Sequence, residues 1–242
     1  MIELIFLGIG IGIVSGFFGI GGGTVLVPIL LLFGYDTKIA IGISVIQMVF
    51  SSIYGSYLNN KKGTLDIAIV LMIGLGGFVG GFFSGILTSN LDNKTLELMF
   101  LLFAVFALIK MFFHTVEYKE PRDVNKIILF LIGLFLGAIS MTIGVGGSIL
   151  LVPILVGFLH IELKKAISAG LFFVVFSSVS GLISHSVSEY MDFETGIIIG
   201  IASLFGVYSG IILKDRINSA IQKRLLVGFY LLVVIYLINR VY

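Results

Sequence analysis

Two stretches of this sequence place glycine and proline where an apolar run should be uninterrupted helix. Residues 16–30 read GFFGIGGGTVLVPIL, and a second stretch runs from Gly144 through Gly146, Gly147 and Ser148 to Pro153. Glycine reaches backbone angles closed to other residues and lets a ligand approach the main chain. Proline lacks an N–H, so Pro28 and Pro153 fit best in the first turn of a helix, where donors have no intrahelical partner anyway. Each stretch therefore predicts a break followed by a short helix, beginning near Thr24 in the first and near Ser148 or Ile149 in the second. A helix start presents free N–H groups and roughly half a positive charge. The chemistry this offers is capture of an anion without a basic side chain. The binding candidates are Gly21, Gly22, Gly23, Thr24, Gly146, Gly147 and Ser148, with Gly19, Pro28, Gly144 and Pro153 making the break itself. The hydroxyls of Thr24 and Ser148 can cap their helices or donate to the ligand.

Composition fixes the medium in which these breaks sit. Hydrophobic residues make up 58% of 242 residues, charged residues 12%, and mean hydropathy is +1.18. Runs such as 67–88 and 127–157 carry no charge, as membrane spans do. They are solidly apolar rather than alternating, which points to an all-α polytopic membrane protein and away from a β-barrel. The first run starts at Ile2 with no basic segment before it, so it reads as retained structure. Without cysteine there is no disulfide, thiolate site or thiol catalysis. Tryptophan is absent too, leaving Tyr35, Tyr57, Tyr190 and Tyr242 to supply an aromatic belt. The apolar flanks also deny Gly19-x-Gly21-x-x-Thr24 the strand-to-helix context of a nucleotide loop. Nothing in the chain calls for nucleic acid, a metal or a cofactor.

The broken element occurs twice because the chain is duplicated. Residues 12–30 laid over 137–155 agree at 10 of 19 positions. One residue later in register, Ala40 meets Ala166, Phe50-Ser51-Ser52 meets Phe176-Ser177-Ser178, Gly55 meets Gly181, and Asp66 meets Asp192. The expected organisation is a first repeat at 1–113, a charged linker at 114–126 containing Pro121, and a second repeat at 127–242. Each repeat holds one broken segment (2–33 and 127–159) and three ordinary spans (38–58, 65–88, 95–113; 164–186, 193–213, 219–239).

Lysine and arginine choose between parallel and inverted repeats, since they accumulate in cytoplasmic loops. If each broken segment crosses once, the basic residues divide seven to eight. If each turns back as a hairpin, twelve lie on one face and only Lys38, Lys94 and Arg240 on the other. The charge bias selects the hairpin, inverted repeats, and termini on the non-cytoplasmic side. Length agrees: residues 24–33 at ~1.5 Å each span about half of a ~30 Å hydrocarbon core. Two inverted half-helices aimed at the midplane are how secondary transporters hold a substrate.

Gln47, Ser51 and Ser52, with Ser177 and Ser178 in the second repeat, are further candidates for lining the pathway; Ser15 and Ser140 precede the breaks. Gln47 corresponds to Phe173, and Gly23-Thr24 to Ser148-Ile149, so the site is expected to be asymmetric. Glycines spaced by four (8, 12, 16; 77, 81, 85; 206, 210) read as helix-packing positions. Glu3, Asp36, Asp66, Glu97, Glu162, Asp192 and Glu194 read as solvated caps, and His114, His160 and His185 as interface residues. No carboxylate is expected in mid-span, so the usual proton or sodium relay has no candidate.

The paired Gly-x-Gly-Gly-x5-Pro elements at 19–28 and 144–153, each opening a four-segment apolar unit, resemble the sulfite exporter TauE/SafE family over the whole chain. The resemblance implies export of small inorganic or organosulfur anions such as sulfite, sulfonates or sulfoacetate across a prokaryotic plasma membrane. The substrate would sit between the two half-helix starts, with alternating access, and H+ or Na+ coupling stays open. An anion channel and a non-transporting membrane scaffold are the alternatives. An intramembrane hydrolase would need a Ser–His or paired-aspartate arrangement at depth, and the histidines and aspartates fall at segment ends, so no enzyme is expected.

Overall fold

The computed structural model describes residues 1–65, 67–113 and 124–241. In those residues the elements are α1 Ile2–Phe18, α2 Gly23–Leu32, α3 Thr37–Lys61, α4 Ile67–Gly81, α5 Ser84–Asn90, α6 Asn93–Phe113, α7 Lys126–Thr142, α8 Ser148–Gly157, α9 Leu163–His185, α10 Phe193–Arg216 and α11 Ser219–Val241. Five stretches of the described residues are long and apolar enough to cross a bilayer: Thr37–Lys61, Val70–Asn90, Leu163–His185, Phe193–Arg216 and Ala220–Arg240. This is an all-helical, multi-pass membrane protein. Its outer face is apolar, with Phe6, Phe205 and Leu232 exposed, while Ser44, Gln47, Ser51 and Ser177 are fully buried. Lipid accepts the first group and would penalise the second.

Close glycine contacts fix the direction in which the helices run. A Cβ on Gly8 would meet Ala202, one on Gly12 would meet Ser203, and one on Gly16 would meet Val207. Hence α1 lies along α10 in the same sense. Gly42 meets Tyr190 and Met191, Gly196 meets Ile46, and Gly200 meets Phe50, so α3 also runs with α10. In the other set, Gly133 meets Ile73, Gly137 meets Gly77 and Gly80 meets Leu134, which makes α4 and α7 parallel. Gly77, Gly81 and Gly85 step along Phe173, Ser177 and Ser184 of α9. At Gly12, Gly76, Gly80, Gly133 and Gly206 the added Cβ would come within 2.1 Å of a backbone oxygen of the partner helix. Gly12 and Gly206 are packing positions, as their spacing implied, and Gly76, Gly80 and Gly133 pack in the same way.

The span expected over 65–88 is present but falls into two helices, interrupted at Phe82 and Phe83. The cause lies on α9: the Ser184 hydroxyl donates to the Phe82 carbonyl at 2.7 Å and accepts the Gly85 N–H at 2.9 Å. A side chain inserted into the helical ladder is a recognised source of a kink. Ser184→Ala should lower the melting temperature by a few degrees, corresponding to about 1–2 kcal/mol. Ser209→Ala, where the exposed hydroxyl bonds only Phe205 of its own helix, should not; equal melting of the two variants would show that Ser184 does not hold the kink.

Asp192 is a helix start as expected, accepting the Thr195 N–H at 3.0 Å. Three end-of-segment readings change. Glu97 is almost fully buried, accepting from the Thr37 hydroxyl at 2.7 Å and pairing with Arg240 at 3.5 Å. His185 is buried at the close of α9 rather than at an interface. Lys214, placed by the sequence just beyond a span, is buried in the last turn of α10. The reason is common to all three: a helix end tucked beneath its neighbours is not a solvated end. Asp66, Tyr242 and residues 114–123, including His114 and Pro121, lie outside the described residues.

Candidate functional site

Both breaks fold alike. Gly19 closes α1 in the left-handed region (φ 70°), with its N–H on the Ser15 carbonyl, and Gly21 and Gly22 follow at φ 74° and 88°. In the second break Gly144, Gly146 and Gly147 hold φ 71°, 82° and 75°. Only glycine takes such angles at no steric cost, and three in four residues turn the chain out of the helix. Gly22 and Gly147 are the N-caps of α2 and α8. The first helical bonds of α2 run from Val25 and Leu26 to Gly22, and those of α8 from Leu150 and Leu151 to Gly147. The N–H groups just before them have no acceptor within their helix.

The two breaks are in direct contact. A Cβ on Gly23 would lie 2.2 Å from the Gly144 carbonyl oxygen, and one on Gly146 would lie 3.2 Å from that of Ile20. The Thr24 hydroxyl donates to Val145 at 3.5 Å and the Ser44 hydroxyl to Gly144 at 2.7 Å. Ser51 donates to Gly21 at 3.0 Å. Met48 Sδ packs against Gly21, Gly23 and Gly146. The centre is thus made of main chain from both breaks, clasped by one face of α3.

On that same face is Gln47, fully buried, with neither Oε1 nor Nε2 hydrogen-bonded. Its carboxamide covers Gly22, where a Cβ would come within 2.6 Å of Oε1. At the second break Phe173 covers Gly147 in the same way. The asymmetry read from the sequence is therefore local and chemical: an unpaired amide at one half-helix start and an aromatic edge at the other. Ser148 opens α8 with its own hydroxyl buried and unpaired, and the Ser15 hydroxyl is in the same state.

Other candidates are not drawn in. Ser52, Ser177 and Ser178 bond carbonyls of their own helices at Val49, Phe173 and Val175. Ser140 does the same with Leu136, although it also abuts Gly147. Pro28 and Pro153 fall in the sixth position of α2 and α8, not the first turn, because the helices start at Gly23 and Ser148. Each proline therefore frees the carbonyl four residues earlier. For Pro153 that carbonyl is Ile149, and the buried Tyr230 hydroxyl donates to it at 3.5 Å.

The profile of the family described as "Sulfite exporter TauE/SafE" matches residues 4–237, taking in both breaks. The chain belongs to the sulfite exporter TauE/SafE family. Among its relatives, the probable membrane transporter protein YdhB of Bacillus subtilis is 28% identical over 224 residues, 88% of this chain and 90% of that protein. The probable membrane transporter protein YunE of the same organism is 24% identical over 97% of this chain and 94% of its own length. A probable membrane transporter protein of Haemophilus influenzae is 25% identical over 94% of this chain and 93% of its own. No solved structure matches.

In this TauE/SafE protein the sequence reading missed Ser44, Met48, Tyr230 and the cluster around Lys214. Ser44 was within reach, since 44, 47, 48 and 51 share one helical face. Tyr230 was not: its role depends on a carbonyl 81 residues away in sequence.

Proposed function

We propose that this protein is a membrane transporter exporting a small sulfur-containing anion, held between the starts of α2 and α8. The observation that carries the reading is Gln47: a fully buried amide without a partner, set against the N-cap of α2. A helix N-terminus alone attracts negative charge, and an unsatisfied buried amide at the same point costs stability unless a ligand uses it. Its Nε2 and the N–H groups of Gly23 and Thr24, which have no acceptor within α2, suit the oxygens of sulfite or a sulfonate. The family described as sulfite exporters supports the substrate class.

The helix directions support two inverted repeats. Helices α1 and α3 both run with α10, so α2 must carry the chain back, making α1–α2 a re-entrant hairpin; α7 and α9 both run with α4. Helix α3 opposes α9, since Gly55 meets Leu171 while Asn59 reaches the level of Ser168. Corresponding helices of the two halves are then opposed. Lys62, Lys164 and Lys214 gather at one end, and Lys38 and Arg240 lie at the other, beside Asn93 and Glu97. The lysine-rich end is cytoplasmic by the charge rule, which leaves both termini on the other side of a prokaryotic plasma membrane. Because the breaks touch here, substrate binding requires them to part, and that parting is the step of alternating access.

Purified protein in liposomes preloaded with sulfite should show saturable efflux that accelerates when sulfite is present outside. Linear, non-saturating flux without counter-exchange would make it a channel. No flux of sulfite, sulfate, thiosulfate or sulfoacetate would favour a scaffold.

A further inference from the structure

A second polar cluster is buried at the lysine-rich end of the bundle. Lys214 is fully buried, and its Nζ donates to Asn59 Oδ1 at 2.8 Å and to Ser168 Oγ at 3.1 Å. The Thr64 hydroxyl lies 3.0 Å from that of Ser168. The carboxylate of neighbouring Asp215 is taken by Lys62, and its carbonyl accepts from Lys164. Asn59 is fully buried as well, and its Nδ2 has no partner. An ammonium has three N–H donors and no acceptor, and the carboxamide adds two more donors. The cluster therefore has spare donors and a positive charge with no carboxylate bonded to it, an arrangement that burial strongly disfavours unless an anion joins it.

A lysine in the last turn of a helix often serves its own terminal carbonyls. Lys214 instead bonds side chains of α3 and α9. Its place relative to the first break is also fixed. Ile167, beside Ser168, puts its carbonyl against Gly19, and Ile211, one turn before Lys214, meets Gly16. The cluster is thus about one helical turn from the α1–α2 break, on its lysine-rich side.

We propose that Lys214, Asn59, Ser168 and Thr64 form an access subsite for a small oxyanion moving between the lysine-rich face and the breaks. Lys214 supplies the charge and Asn59 Nδ2 the free hydrogen-bond donor. The Thr64 and Ser168 hydroxyls, which donate to the Asn59 and Lys164 carbonyls, shape the subsite, and Lys62 and Lys164 draw anions towards it from solvent. This rests on the anion-transport reading of the breaks.

The test is a thermal-shift titration of the full chain in detergent with sodium sulfite and sodium sulfate at constant ionic strength. It compares wild type, Lys214→Met, Lys214→Arg, Asn59→Asp and Gln47→Leu. Lys214→Met should weaken the apparent Kd at least tenfold, whereas Lys214→Arg should stay within about threefold of wild type. Asn59→Asp gives the ammonium a tethered carboxylate, so it should remove the cluster's share of the anion response, leaving only that of the breaks, while raising the melting temperature without anion. Wild-type affinity in Lys214→Met, with affinity lost in Gln47→Leu, overturns the subsite and leaves the breaks as the binding site. Wild-type affinity in both variants, or no saturable response in wild type, overturns both. Should Lys214→Met not purify folded, Asn59→Asp decides, since wild-type affinity there also overturns the subsite.

Discussion

Gly23→Ala is expected to destabilise the protein by about 3 kcal/mol or more, at the upper end of overpacking effects. The added methyl would sit 2.2 Å from the Gly144 carbonyl oxygen, 2.5 Å from Ser44 Oγ and 2.9 Å from Met48 Sδ. The methionine can move, but the carbonyl belongs to the opposite break, which is itself pinned by Ser44. Relief requires pushing the two breaks apart. Gly10→Ala is the internal control: it lies within α1 with nothing within 4 Å of its Cβ position. There alanine should gain up to ~1 kcal/mol of helix stability. Melting temperature and monodispersity in detergent read both variants. If Gly23→Ala melts with wild type, the breaks are not in contact and the centre of the molecule is arranged differently.

Gln47→Leu should raise stability and remove binding together. Leucine fills similar volume without the two polar atoms that are buried and unpaired, and leaving such groups unsatisfied costs about 1–3 kcal/mol. A rise of a few degrees in melting temperature is expected. Sulfite binding should fall at least tenfold, because the amide donor beside the α2 start is gone. Gln47→Glu sharpens the point: a carboxylate there would occupy the helix start itself and should abolish anion binding at the breaks, leaving only the response of the Lys214 cluster. A stabilised Gln47→Leu variant with undiminished binding would show the amide to be an evolutionary leftover rather than a ligand group. A destabilised variant would mean that the amide has partners in the native protein.

Much of this was legible in the residues. The glycines at 19–23 and 144–147 announced both breaks, because only glycine takes three left-handed angles in four residues. Half-helix starts were placed within one residue at Gly23 and Ser148, since a ten-residue apolar helix after such a turn has few alternatives. Span 65–88 was read as continuous because its interruption is caused by Ser184, 102 residues away from Phe82. Periodicity carries no trace of a hydroxyl arriving from another helix.

The sequence by itself determined the medium, the twice-occurring Gly-Pro element, the two breaks with their glycine turns, and the difference between the copies at Gln47 and Phe173. Each of these is written in local chemistry: apolar run length, glycine torsions, repeated residues. Only the tertiary structure decided that the breaks touch, that Ser44 and Ser51 rather than Ser177 and Ser178 clasp them, and that Lys214 is buried without a carboxylate bonded to it. Those facts depend on which helices pack together and in which direction. Glycine-to-carbonyl approaches between elements as distant as α1 and α10 set that packing, and nothing within either helix alone encodes its partner.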